Sequence, residues 1–323
     1  MRLLPNPDVS ILICTRNRST FLRDTLASIA TTHIPLGLNV EIIVVDNGST
    51  DETPLIVKSC DLFSFPITYV QEPQKGLDIA RNTGIKTCRG RVILLTDDDV
   101  RVPTFWIEPM CRPILNNDAD AVAGGIEMAS HLWRDWMQGD ILVWRRIIAD
   151  PPFGQTPPLI GANAAYSKKV FAKVPKFDEE LDAGKLGLAG DILFSEQLAE
   201  AGFRISSAIS KTAVVHHFAP DRLSRSSLIL RARDQGRSDA YIAYHWLHSE
   251  PRLLRLRFLY RLVWVVLVRI RFILKKPNLE GLTPLESDAI IKFESYRGLL
   301  IERRRPRQYT LRGLIKISNG DEC

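Results

Sequence analysis

Two kinds of hydrophobic pattern alternate along the first third of the chain. Residues 9–14, 40–45 and 92–95 are short, almost unbroken apolar runs, and residues 67–70 form a shorter one. A strand covered on both faces reads as continuous apolar sequence, so these runs predict buried β-strands. Between them, apolar residues recur at helical spacing. Leu22, Leu26 and Ile29 share one face of a helix expected to end near Ala30, with Ser19 or Thr20 as its cap. Residues 77–87 read as a helix closed by the turn signal Arg89-Gly90, and Pro103 suits the first position of another.

Four strand–helix alternations in about 115 residues predict a doubly wound, mostly parallel α/β sheet. Ligands of such sheets sit beyond the carboxyl ends of the strands. Three polar clusters fall there: Cys14-Thr-Arg-Asn17, Asp46-Asn-Gly48 and Asp97-Asp-Asp99. Adjacent carboxylates repel, and burying one without a partner costs roughly several kcal/mol. A hard divalent cation, which takes oxygen ligands, would offset that charge. Extended backbone would turn Asp97 and Asp99 to one side and Asp98 to the other. A solvated acidic turn is the alternative.

At 323 residues, 45% hydrophobic and 25% charged, the chain has the composition of a soluble globular protein with one or two domains. The net charge of +6 is unevenly spread. Residues 252–276 carry eight Lys/Arg and no acid, and residues 303–307 add four more. A basic tail on a near-neutral body predicts contact with an anionic surface, a membrane or a nucleic acid. The five scattered cysteines have no metal-ligand spacing, which predicts reduced thiols and a cytoplasmic setting. The amino terminus has no apolar signal core, and no run of about 18 apolar residues offers a membrane span.

The strand-end clusters, taken with the later motifs, resemble those of the family-2 glycosyltransferases, the inverting nucleotide-sugar enzymes of the GT-A fold. The matching pieces are Val9-Ser-Ile-Leu-Ile-Cys-Thr-Arg-Asn17, Glu41-Ile-Ile-Val-Val-Asp-Asn-Gly-Ser-Thr-Asp51, Gly76-Leu-Asp-Ile-Ala-Arg-Asn-Thr-Gly84 and the triple Asp. Gly161-Ala-Asn163, Gly190-Asp191, Ala201-Gly-Phe-Arg-Ile205 and Val215-His-His217 continue the pattern. The resemblance covers about residues 8–240. It implies a catalytic unit over residues 1–225, followed by a basic helical extension over 226–323.

The same resemblance implies roles. Thr15 and Asn17 would line the base and ribose pocket, with Asp46 accepting hydrogen bonds from the nucleoside. Arg81 would reach the uracil or the diphosphate, and Asp97 the ribose. Asp98 is grouped with these donor-binding residues. Asp99 would hold the Mn²⁺ or Mg²⁺ that bridges the two phosphates, a Lewis-acid role. Asp191 would be the general base on the acceptor hydroxyl, although Gly190 stands where the family usually carries an acid. Asp191 could instead only cap the helix that follows. His216 and His217 end a strand expected over residues 212–215, where a metal ligand is sometimes added, and imidazole suits Mn²⁺. A structural role is the alternative for both.

Residues 231–238 lack the Gln-x-x-Arg-Trp signature of processive synthases, so the implied transfer is a single step to a glycan or lipid-linked acceptor from a UDP-sugar. Trp133, Trp136 and Trp144 could stack on sugar or pack on a helix face. A nucleotidyltransferase would need a glycine-rich phosphate loop after the first strand, which Cys14-Thr-Arg-Asn-Arg18 is not. A non-catalytic sugar-nucleotide or nucleic-acid binder is the rival from another class, but the acidic residues are intact and the basic tail lacks a zinc-finger or RNA-recognition signature. Residues 252–276 can be drawn as a helix with Arg257, Arg261, Arg271 and Lys275 on one face and Leu259, Leu262, Val266, Ile270 and Ile273 opposite. It would lie on the anionic cytoplasmic face of a membrane, or pack its apolar side on the catalytic domain.

Overall fold

The computed structural model describes residues 6–61, 63, 66–137, 155–174, 176–182, 185–187, 189–275, 280–309 and 312–314. The amino-terminal part runs Val9–Thr15 (β1), Ser19–Ala30 (α1), Val40–Asp46 (β2), Thr53–Lys58 (α2), Ile67–Gln71 (β3), Leu77–Thr87 (α3) and Val92–Asp97 (β4). Val100–Arg101 (β5), Ile107–Leu115 (α4), Ala121–Ala123 (β6), Ile126–Met128 (β7) and Asn163–Ser167 (β8) follow. Gly190–Glu200 (α5), Ile205–Ser207 (β9), Val214–His216 (β10), Arg225–Tyr241 (α6), Leu254–Lys275 (α7) and Pro284–Glu302 (α8) complete it.

The main sheet has the order β3-β2-β1-β4-β8-β6-β9. Its first four strands are parallel, and β8 runs against both β4 and β6. The continuous apolar runs are explained by cover on both faces. Val9, Ile11 and Ile13 of β1 pack with Leu22 and Leu26 of α1, whereas Leu12 and Cys14 pack with Ala80 of α3 and Phe194 of α5. Register aligns Thr15 with Asp46 and Cys14 with Asp97, so three polar strand ends finish at one edge. A small second sheet, β5-β10-β7, sits beside that edge and sets His216 opposite Val100.

Three local expectations are corrected. Neither Ser19 nor Thr20 caps α1; Asp51, from across the edge, accepts the Ser19 N–H at 2.9 Å. Pro103 does not open α4, which begins at Ile107. The Pro103 and Thr104 carbonyls are taken by the Thr32 hydroxyl and the His33 N–H, which hold this segment out of the helix. The histidine strand is Val214–His216, one to two residues beyond its expected span.

The carboxyl-terminal helices lie against the body. Ser224 caps α6, and a capping box of Thr283 and Glu286 starts α8. The buried Asp178 accepts hydrogen bonds from Tyr241, Trp246 and Tyr309, which ties the carboxyl-terminal segments to the body. Cys14, Cys60, Cys88 and Cys111 are free thiols. Among the described residues, no helix is long and apolar enough to cross a membrane.

Candidate active site

The acidic run leaves β4 at the sheet's polar edge, and its three carboxylates part company. Asp97 and Asp99 turn one way, where with His216 they form a group whose ligand atoms all lie within 4.8 Å of one another. Asp98 turns the other way. It accepts from the Thr15 hydroxyl at 2.6 Å and pairs with Arg18 at 2.9 Å. The alternation expected of extended backbone therefore holds.

Asp99 is buried among cations. Arg18 lies 3.2 Å and Arg222 3.4 Å from its Oδ2. Its Oδ1 sits 2.8 Å from His216 Nε2, but the contact lacks hydrogen-bond alignment and leaves both buried atoms unsatisfied. Two buried ligand atoms converging in this way, with Asp97 beside them, suit a divalent cation. Carboxylate and imidazole together are a ligand set that divalent first-row metals accept. Burial works to raise the Asp99 pKa, yet His216, Arg18 and Arg222 hold it below the usual carboxylate range. Asp97 is shifted upward, chiefly by burial and against the pull of Arg81. Asp98 is pushed up to about 6 by burial, with Arg18 opposing.

Two cavities flank this run. One, of about 260 Å³, is lined by Thr15, Arg18, Asn47, Gly76, Leu77 and Asp98. The other, of about 190 Å³, is lined by Arg81, Asp97, Asp191, His216, Arg222 and Arg231 among others. Leu77 touches both. Arg81 is buried and bonded to Asp78 at 2.9 Å, with Asp97 3.8 Å away. Its guanidinium crosses Gly161 so closely that a Cβ there would lie 2.1 Å from Nη2. Only glycine lets the two segments approach.

Asp191 lies in the first turn of α5, and the helix is not capped by it. Ala189 occupies the cap position without a side-chain bond. The Asp191 Oδ2 accepts the Gly161 N–H at 3.1 Å and Oδ1 the Ile192 N–H at 2.9 Å, which aims the carboxylate at the second cavity. The absent side chain at Gly190 has a steric counterpart. A Cβ there would fall 1.9 Å from Asp78 Oδ2, so the Asp78 carboxyl fills that space. Burial pushes Asp78 up to about 7, against the pull of Arg81.

The other expected residues are spread along the same edge. Asp46 is buried and accepts from the Ser49 N–H at 2.8 Å and the Tyr69 hydroxyl at 2.6 Å. Asn17 adopts a left-handed backbone (φ 52°) and accepts the Thr50 N–H at 2.7 Å. Its side chain thereby pins the loop after β2. His217 is not in that ligand group, in keeping with the structural alternative; its ring lies against His131, and burial lowers its pKa. Trp133 is partly exposed and the half-buried Trp136 packs against the core, whereas Trp144 lies outside the described residues. Asn163 is wholly buried and bonds Trp106, Gly125 and Thr212.

Sequence reasoning missed Arg18, Asp78, Asp182, Arg222 and Arg231. Asp182 accepts the N–H groups of Leu77, Asp78 and Ile79 and so caps α3 from a distant loop. Asp78 had one available signal, its position three residues before Arg81 on the same helix. Arg222 and Arg231 sit in and beyond a 3-10 turn with no local signal at all.

The model of the family "Glycosyl transferase family 2" matches residues 10–174, half of the chain. Glycosyltransferase GlyA of Streptococcus pneumoniae is 30% identical over 122 residues, 38% of this chain and 17% of that protein. Glycosyltransferase AglE of Haloferax volcanii is 29% identical over 127 residues, 38% of this chain and 40% of that one. The matched stretch thus spans well under half of these relatives. Mannosyltransferase PcManGT of Pyrobaculum calidifontis, solved in complex with GDP-Man and Mn²⁺, superposes with a TM-score of 0.56 at 17% identity. That alignment takes in 92% of this chain and 87% of the other, a likeness of fold. With all of β2 to β8 and nearly all of β1 inside the matched span, and the GT-A arrangement around them, this chain belongs to glycosyl transferase family 2.

Proposed function

We propose that the chain is a divalent-cation-dependent, inverting and non-processive glycosyltransferase. It moves a sugar from a nucleoside-diphosphate sugar, a UDP-sugar first, to a hydroxyl of a cell-surface glycan or lipid-linked acceptor. The observation that carries this reading is the grouping of Asp97, Asp99 and His216, of which Asp97 and His216 line the cavity that Asp191 also lines. When bound there, a cation would neutralise charge on the departing diphosphate. Thr15 and Asp98 shape the nucleoside side as a bonded pair, and Asn17 and Asp46 shape it by holding the loop after β2. Arg81 carries its charge beside the diphosphate. Asp191 takes the acceptor hydroxyl proton as the new bond to the anomeric carbon forms and the bond to the diphosphate oxygen breaks. Attack from the face opposite the leaving group inverts the anomeric centre.

Residues 1–225 form the catalytic unit of this proposal, and residues 226–323 an extension that places it on the cytoplasmic face of a membrane. The test is a panel of UDP- and GDP-sugars scored for thermal shift and for donor hydrolysis with and without Mn²⁺. Hydrolysis should require the cation and vanish in Asp99→Asn with the melting temperature kept. Donor binding without turnover on any acceptor or water would instead identify a sugar-nucleotide binder.

A further inference from the structure

The helix α7 is 22 residues long and turns its apolar side outward, the first of the two arrangements the sequence left open. It rests on α8 through the buried Val265 and Val268 and the half-buried Phe258, Trp264 and Phe272. The apolar stripe of Leu259, Leu262, Val266, Ile270 and Ile273 is left in solvent, and further exposed apolar residues widen it. Leu256, Val263, Leu267, Ile270, Ile273 and Leu274 are 48–77% exposed. At 100° per residue these six share one half of the helix, away from Val265 and Val268. Arg255 and Arg269 border that half on one margin, Arg257 and Arg271 on the other, and all four are exposed.

We infer that this face of α7 docks the protein on an anionic lipid surface, lying in the plane of the headgroups. Apolar side chains would enter the boundary of the acyl chains while the marginal arginines meet lipid phosphates and carboxylates. The charge pattern selects this occupant. A second copy packed face to face would set arginine margins against arginine margins, with no acid anywhere in residues 252–276 to neutralise them. The long apolar patch is far larger than the isolated exposed residues normal on a surface. The inference deepens the proposed function, on which it rests only for the lipid-linked acceptor. α7 lies on α8, α8 on α6, and α6 supplies Arg231 and Gln235 to the cavity, so docking would hold the acceptor cavity at a fixed distance of about two helix layers from the membrane.

The experiment is co-sedimentation of the full chain with phosphatidylcholine vesicles containing about 30% phosphatidylserine, beside pure phosphatidylcholine vesicles. Binding should need the anionic lipid. It should weaken as salt rises from about 0.1 M to about 1 M, where screening shortens from about 10 Å to about 3 Å. The double variant Val263→Glu/Leu267→Glu, changed only at exposed positions, should bind at least about tenfold less. Leu36→Glu, in an exposed loop remote from α7, should bind as the parent does. Failure of the parent to sediment would overturn the inference, as would a dimer in solution that the double variant dissolves. Donor hydrolysis without vesicles is read separately, so loss of docking and loss of the transferase reading are distinguishable.

Discussion

Gly161 and Gly190 show how much of this site depends on missing side chains. Each faces a buried charged group at a distance no Cβ tolerates, Arg81 in one case and Asp78 in the other. Gly161→Ala should displace the Arg81 guanidinium and cost about 1–3 kcal/mol of stability, the usual range for overpacking. Donor turnover should fall further than the melting temperature suggests, because Arg81 would also lose its place beside Asp97; equal turnover in parent and variant would count against the assigned place of Arg81. Asp191→Asn is the complementary change. It keeps the shape that accepts the Gly161 N–H but cannot take a proton. Donor binding by calorimetry should be retained while transfer drops by about two to four powers of ten. Lost donor binding would tell against its place on the acceptor side.

At the scale of elements, the parallel sheet is pinned by polar residues that are not catalytic. Glu41 of β2 is buried and accepts from the Ser10 hydroxyl at 2.6 Å, the Arg89 N–H at 2.8 Å and the Arg89 guanidinium. Burial would raise its pKa, but these bonds hold it below its ordinary value of 4.5. An acid with a lowered folded pKa stabilises the fold above its unfolded pKa, and that contribution is lost as pH falls through the folded value. Glu41→Gln should therefore cost about 2 kcal/mol near pH 7 and narrow the loss of stability on acidification below about pH 4.5. Urea melts across pH 3 to 7 would show the two curves converging in acid. Asp182 acts similarly on α3. Asp182→Ala would orphan three amide groups at the helix start and should lower stability by about 2 kcal/mol.

On the scale of the whole molecule, the carboxyl-terminal helices are part of the cavity wall as well as an appendage. Arg231 and Gln235 of α6 line it, and Tyr241, Trp246 and Tyr309 close on Asp178. Asp178→Ala should strand these buried donors and destabilise the protein by about 3 kcal/mol. A single, shifted melting transition is expected. Two separate transitions would mean that the extension folds on its own.

Much of this was written in local order. Unbroken runs such as residues 9–14 imply strands covered on both sides, and the Leu22, Leu26, Ile29 spacing implies the helix that covers one of them. Polar residues after such strands collect at one edge because parallel register aligns strand ends, which is why Thr15, Asp46 and the triple Asp were legible as a site. The alternation of side chains also separated Asp98 from its neighbours. Contacts between distant segments were not legible. The second sheet brings His216 rather than His217 to Asp99, and Asp182 reaches back about a hundred residues to start α3. The loop closures that create such pairs leave no periodic trace in the chain. The orientation of α7 belongs to the same class. Its composition determined that it would be amphipathic and basic, but only packing against α8 decided which side met protein and which was left for solvent or lipid.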